Sequence, residues 1–280
     1  MTRRTPLQHA LLAIALLLFA LFTLLPMLWL FMMSVSSTTD LTTVPLAWLP
    51  RQWDFSRYEK LLSAGGGAGR TFLGALANSC TVAFSATAIS MLAAIPAAYS
   101  FSRVPGRAVL LHASLAVYMM PPVAFVLPLY LVFSALGLLN TTLALVIVYC
   151  SILLPFCTWL LKNNFDALPV EIEQAARVDG AGVLGVIWHV TLPLAKPALG
   201  ATALFALMLA WDEFFYALIY TSDLRAKTLP VAIGDFAAGR ATDHGLISAA
   251  GVLSALPAVL TAALLQRWLV SGLTAGGTKG

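Results

Sequence analysis

The chain has 280 residues, of which 60% are hydrophobic and 10% charged, with 16 Lys and Arg against 12 Asp and Glu. An ordinary soluble domain carries about 25% charged residues, so this chain lacks the polar groups to cover a soluble fold of its size, and its mean hydropathy of +0.89 agrees. The scattered net charge of +4 makes no basic stripe for nucleic acid; disorder and a disulfide-rich secreted fold are equally poor readings, and much of the surface must lie in lipid.

A helix needs about 20 apolar residues to cross the hydrocarbon layer, and six runs qualify. The first, residues 10–35, carries no charge. Arg3 and Arg4 precede it as in a signal peptide, but the apolar stretch of a signal peptide is only about 7–15 residues long. This run is far longer and ends in Trp29, Phe31 and Met32, so a retained anchor helix is expected. Residues 36–70 form a loop with Pro45, Trp48, Pro50 and Trp53, then Gly65-Gly66-Gly67. The tryptophans suit a membrane–water interface and the glycines a hinge. Residues 1–70 thus read as one part of the molecule, an anchor and its loop, and 71–280 as a core of five further spans.

Those spans are expected at 71–101, 109–136, 143–161, 198–221 and 246–270, with Asp212 and Glu213 inside the fifth span overall and Arg267 near the end of the sixth. A membrane barrel would show segments of about ten alternating residues. These runs are continuous, so the fold class is all-α, a polytopic membrane protein with six transmembrane helices. Val104-Pro105-Gly106-Arg107 reads as a tight turn. Pro96, Pro121, Pro122, Pro128, Pro155 and Pro257 fall within spans, where each removes a backbone hydrogen bond. The pair Pro121-Pro122 reads either as a break lining a translocation path or as a packing kink. Cys80, Cys150 and Cys157 sit in apolar runs as small core residues. His9, His112, His189 and His244 share no helical face, so no metal site and no catalytic set is inferred.

The stretch 162–197 between the fourth and fifth spans is polar. From Asp166 to Gly180 it has the stops of a short helix: Pro169 suits the first turn, Glu171 and Glu173 the positive N-terminal end, and Gly180 the C′ position. Ile172, Ala175, Ala176 and Asp179 recur at i, i+3, i+4 and i+7, one face of a helix. The two alanines on it allow close approach to another surface. A second short helix over about 183–190 is expected before Pro193.

This stretch resembles the coupling motif of ATP-binding-cassette importer permeases, Glu-Ala-Ala, then Asp-Gly-Ala, then Ile-x-Leu-Pro. Ala175-Ala176, Asp179-Gly180-Ala181 and Val190-Thr191-Leu192-Pro193 fit it. Gln174 stands where the motif has glutamate, and Glu173 lies one residue earlier. Met120-Pro121-Pro122 with Pro128-Leu129-Tyr130 resembles the third span of the carbohydrate branch. Trp211-Asp212-Glu213-Phe214 resembles that branch's Trp-Asn-Glu-Phe, and the tail from Gln266 to Gly280 is similar to that of the smaller permease subunits of maltose transporters. The resemblance covers about 71–280, with the first span also in place.

The resemblance implies a permease subunit of a binding-protein-dependent, ATP-driven sugar importer, forming half of the translocation path. Its partners would be a second permease subunit, two cytoplasmic ATPase subunits and an extracytoplasmic sugar-binding protein, and its home the bacterial plasma (inner) membrane. It also implies a cytoplasmic coupling loop, hence both termini inside and loop 36–70 outside. That orientation puts nine Lys and Arg inside and seven outside, a slight excess in the sense of the positive-inside rule. No G-x-x-x-x-G-K-[ST] phosphate loop is present, since Gly276-Gly277-Thr278-Lys279 lacks the spacing. ATP is therefore expected on the partner ATPases and no cofactor on this chain. By resemblance Ile172, Glu173, Gln174, Ala175, Ala176, Asp179, Gly180 and Pro193 belong to the coupling surface, and Gly276, Gly277 and Lys279 to a tail that contacts the ATPases or is simply disordered.

Charged side chains in a span usually face the bundle interior or water. Trp211, Asp212, Glu213, Phe215 and Tyr216, with Pro121 and Pro122, are the candidates for a sugar path; hydrogen bonding between helices is the alternative for Asp212 and Glu213. Secondary transporters driven by an ion gradient show more spans, internal repeats and several buried ionisable groups, and are a rival from another class. An amine or amino-acid importer permease is a nearer one.

Overall fold

The computed structural model describes residues 6–43, 48–238 and 243–276; for Ala108 and 265–276 it describes the backbone only. Apart from an isolated antiparallel bridge between Ser36 and Trp53, the regular structure of the described residues is helical. Among the described residues four helices are long and apolar enough to cross a membrane: α1 (Pro6–Val35), α4 (Gly67–Arg103), α7 (Thr142–Asp166) and α14 (His244–Gly276). Two bent pairs bring the number of spans to as many as six. Short helices α2 (Thr38–Thr42) and α3 (Ser56–Leu62) lie between α1 and α4.

The first bent pair is α5 (Ala108–Tyr118) and α6 (Val123–Ala135), at 91°. The sequence pattern places one span over 109–136 with Pro121-Pro122 inside it, and these prolines divide it into two helices. The amides of Met119 and Met120 make the last bonds of α5, to Leu115 and Val117. Pro121 and Pro122 have no N–H to extend the ladder, and α6 restarts with Ala124 bonded to Pro121. Pro96, Pro155 and Pro257 lie inside helices that continue past them.

The second pair is the segment Val183–Leu194 with α11 (Lys196–Trp211), at 82°. That segment comprises α9 (Val183–Val186), a π-helical turn over Ile187–Thr191, and α10 (Leu192–Leu194). It is longer than the helix expected over 183–190, because Pro193 falls at the start of α10, where its missing donor is tolerated. The break follows at Ala195. Pro197 cannot bond the carbonyl of residue 193, and in an unbroken helix its ring would collide with it. Beyond α11, Asp212 closes the helix. The chain restarts as α12 (Phe215–Tyr220) and then α13 (Leu229–Ala237).

The chain divides into two compact units, Met1–Leu73 with Ile233–Ala255, and Gly74–Ala232 with Leu256–Gly280. In the first, α1 buries only Ser34 and Val35, so most of its apolar surface is left for lipid. Its end is tied down by the Ser34 Oγ to Tyr58 OH bond of 2.6 Å and by Asp54 N donating to the Val35 carbonyl at 2.8 Å. In the second unit, α7 is central and buries Leu145, Tyr149, Leu153, Leu161 and Phe165. Ala83, Ala86, Ala94 and Ala98 of α4 and Ala206 and Ala210 of α11 are buried as well. Small residues let backbones approach where lipid supplies no hydrophobic drive between helices.

Candidate functional site

The polar stretch folds as α8 (Val170–Val178), with Glu171 and Glu173 in its first turn and Arg177 in its last. Gly180 adopts φ +90°. Its amide bonds the Arg177 carbonyl, and the Ala181 amide bonds that of Ala176, both at 3.0 Å. This is a Schellman ending with Gly180 at C′. Ile172, Gln174, Ala175 and Asp179 are exposed and Ala176 is half-buried. Val178 of the same helix, Leu184 of α9 and Trp188 of the π turn also leave large apolar side chains uncovered, and Pro193 is exposed in α10.

Glu173 alone of α8 is buried. Its Oε2 accepts bonds from Arg103 Nε and the Tyr99 hydroxyl, both at 3.0 Å. Its Oε1 accepts from Arg103 Nη2 at 2.9 Å and from Thr191 Oγ1 of the π turn at 3.2 Å. Arg177 Nη2 donates to the Tyr99 hydroxyl at 3.2 Å. Burial on its own would raise the Glu173 carboxyl; the bonds from Arg103 and Tyr99 and the charge of Arg103 outweigh it and hold the carboxyl below the usual carboxylate range. Arg103 also donates to Ser102 Oγ, and Ser102 to Asp166 at the end of α7, which Lys162 bonds at 2.6 Å. Tyr99, Arg103 and Thr191 escape a reading by motif. A basic residue at a helix end carries no sign of its partner 70 residues on.

The path candidates separate. Pro122 and Tyr216 come together, with the Tyr216 hydroxyl donating to the Pro122 carbonyl at 3.4 Å. Both line a cavity of about 360 Å3 with Tyr118, Met120, Phe125 and Ser151. Phe215 stacks edge-on against Tyr216 at 5.7 Å. Trp211 is buried in a narrow crevice with Phe84, Met208 and Pro257, apart from that cavity. Pro121 is exposed at the break, and so is Asp212. The Glu213 carboxylate turns to its own chain. Its Oε1 accepts from Tyr216 N at 2.9 Å and its Oε2 from Ala217 N at 3.2 Å. The Glu213 carbonyl in turn accepts from the Tyr149 hydroxyl of α7 at 3.4 Å. Glu213 thus satisfies the free amides at the start of α12. Of the tail candidates, Gly276 ends α14, while Gly277 and Lys279 lie outside the described residues.

Residues 86–275, which hold the bent pairs, α8 and the cavity, match the family described as the inner membrane component of binding-protein-dependent transport systems. The chain belongs to this family. It is a multi-pass inner membrane permease of the ATP-binding-cassette importer class, and not an enzyme. It is 34% identical over 99% of both chains to the trehalose/maltose transport system permease of Thermococcus litoralis. It is 34% identical to the sulfoquinovosyl glycerol transport system permease of Agrobacterium fabrum, over 92% of this chain and 89% of that one. Among solved structures, a bacterial ABC transporter involved in the import of the acidic polysaccharide alginate superposes with a TM-score of 0.77 and 25% identity, covering 95% of this chain and 99% of that one.

Proposed function

We propose that this permease is one of two membrane subunits of a sugar importer, that α8 docks on a cytoplasmic ATPase subunit, and that the cavity beside Pro122 is part of the sugar path. The observation that carries the docking reading is the exposed side of α8. Ile172, Gln174, Ala175 and Asp179 lie open, as do Val178 of the same helix and Leu184 and Trp188 of the segment that follows, in a family whose members work with other chains. In this reading both termini and the α8 segment are cytoplasmic. ATP binds the two ATPases, an extracytoplasmic binding protein delivers the sugar, and the tail from Gly276 reaches the ATPases.

The sugar class is supported by relatives named for trehalose/maltose, sulfoquinovosyl glycerol and alginate. The cavity suits it chemically. Its volume falls at the lower end of the roughly 300–1,000 Å3 of small-molecule sites. Rings of Tyr118, Phe125 and Tyr216 offer faces for the apolar side of a sugar, and the hydroxyls of Tyr118, Ser151 and Tyr216 offer hydrogen bonds.

The test is assembly and uptake with the partner subunits co-expressed. Ala175→Trp puts bulk on the exposed side of α8 and should abolish capture of the ATPase subunits while the chain still inserts. Ser151→Trp fills the cavity and should stop uptake with the complex intact. If Ala175→Trp assembles and transports like the parent, α8 is not the docking element.

A further inference from the structure

We infer that Glu173 is a positioning residue, the joint through which α8 moves the end of α4 and the π turn before α11. The inference rests on the docking reading above and adds to it the route by which a push on α8 enters the membrane helices.

The helix has one buried side chain, and that side chain is a carboxylate. Its exposure is only 4%, yet its two oxygens hold four donors on two separate elements. Arg103 and Tyr99 stand on α4, and Thr191 stands in the π turn. An apolar contact at this place would slide. A bidentate guanidinium–carboxylate pair fixes distance and direction together, and a buried pair keeps its partners because separation leaves an uncompensated charge. Displacement of α8 is therefore passed to both elements at once. Each lies where a backbone can respond. The π turn is itself an irregular winding of the sort that marks functional sites, and the 82° bend at Ala195 follows it after the three residues of α10. On the other side, Arg103 is the last residue of α4, so a pull on its guanidinium acts along the end of a 37-residue helix. Arg177 donates to the same Tyr99 hydroxyl and steadies the second turn of α8 against rolling about the joint.

The experiment uses the assembled complex with spin labels at Glu171→Cys and Val104→Cys, both exposed positions outside the docking residues, and with Cys80, Cys150 and Cys157 replaced by Ala. Interlabel distances are compared between the nucleotide-free complex and the complex trapped with ATP and vanadate. With the joint intact, one narrow distance persists in both states, because α8 and the end of α4 move as one body. In Glu173→Gln the trapped state should lose that single distance and show a second population. Arg103→Lys, which keeps the cation but not the fork, should do the same. A single unchanged distance in both variants overturns the joint even if Ala175→Trp shows that α8 docks. If Ala175→Trp leaves docking untouched while Glu173→Gln splits the distance, it is the docking reading that fails. Loss of the single distance already without nucleotide, with loss of ATPase capture, means that the pair only holds the loop folded and overturns the inference. Failure of both variants to accumulate overturns it in the same way.

Discussion

Arg57 and Asp243, 186 positions apart, form an ion pair at 3.1 Å in which the arginine side chain is 3% exposed and the aspartate 37%. The remaining guanidinium donors go to the Ser36 carbonyl and to Thr38 Oγ1, and Asp243 Oδ1 also accepts from Leu246 N at the start of α14. One arginine of α3 thus holds the end of α1 and the beginning of α14. Asp243→Ala removes both the counter-charge and the cap. It should cost about 2–3 kcal/mol, less than the roughly 3–5 kcal/mol of a fully buried pair because water reaches the carboxylate. Asp243→Asn keeps the cap and should cost less. Gly245→Ala drives a Cβ into the Arg57 guanidinium and should act in the same direction. Thermal unfolding of the purified complex in detergent measures all three, and an unmoved midpoint for Asp243→Ala would show that the pair holds nothing.

Glu213 is expected to act on structure before substrate. Its carboxylate accepts the Tyr216 and Ala217 amides, so Glu213→Ala should lower stability by about 1 kcal/mol, the size of a lost helix cap. Glu213→Gln retains one acceptor and should fall between. Competition between sugars for uptake, measured at equal amounts of complex, should be unaltered in both variants. A changed sugar preference at parental stability would return Glu213 to the path.

The Glu173 carboxyl lies below its ordinary value, and the sign of its effect on pH dependence follows. A group whose folded value is depressed contributes stability that is complete above the unfolded value, about 4.3 for glutamate, and is lost as pH falls through the folded one. Around it stand Arg103, Tyr99, Arg177 and Thr191, with Asp166 reached through Ser102. In the complex trapped with ATP and vanadate, the single distance between α8 and the end of α4 should therefore persist from about pH 7 to about pH 5, and a second population should appear only below the ordinary carboxylate range. A second population already between those two values would contradict the assignment. With Glu173→Gln the transition should vanish.

Part of this architecture was legible in the sequence for physical reasons. Long uncharged runs permit nothing but spans, and two consecutive prolines remove two donors whatever surrounds them, so the division at Pro121-Pro122 could be anticipated while its 91° angle could not. Gly180 was readable because few residues other than glycine end a helix at positive φ. The joint was not. Helical periodicity assigned Ile172, Ala175, Ala176 and Asp179 to one face, but a carboxylate in a polar helix carries no sign that it is buried, and Glu173 is satisfied only by residues of α4 and the π turn. The apolar run over 198–221 predicts one continuous helix through the path candidates around Asp212. The helix stops at Trp211 and restarts at Phe215, which sends Trp211 to one crevice and Tyr216 to another.

Gly180 offers a clean separation of backbone strain from crowding. Its φ is +90°, and a Cβ built there meets nothing within 4 Å. A substitution therefore meets no steric neighbour, and its whole effect is conformational. Alanine in the left-handed region costs about 1–2 kcal/mol, while asparagine enters that region far more readily. Gly180→Ala should thus unwind the end of α8, weakening the bonds from Gly180 N to Arg177 and from Ala181 N to Ala176. Gly180→Asn should largely preserve them. Because Asp179 and Ala175 are presented by this last turn, capture of the ATPase subunits should fall with Gly180→Ala, by about fivefold to thirtyfold for a cost of that size. Gly180→Asn should capture close to the parental amount. The measurement is the amount of ATPase subunit co-purified per permease. Equal capture by both variants would mean that the Schellman ending contributes nothing to how α8 is presented, and equal loss would mean that the glycine is needed for space in the assembled complex rather than for its backbone angle.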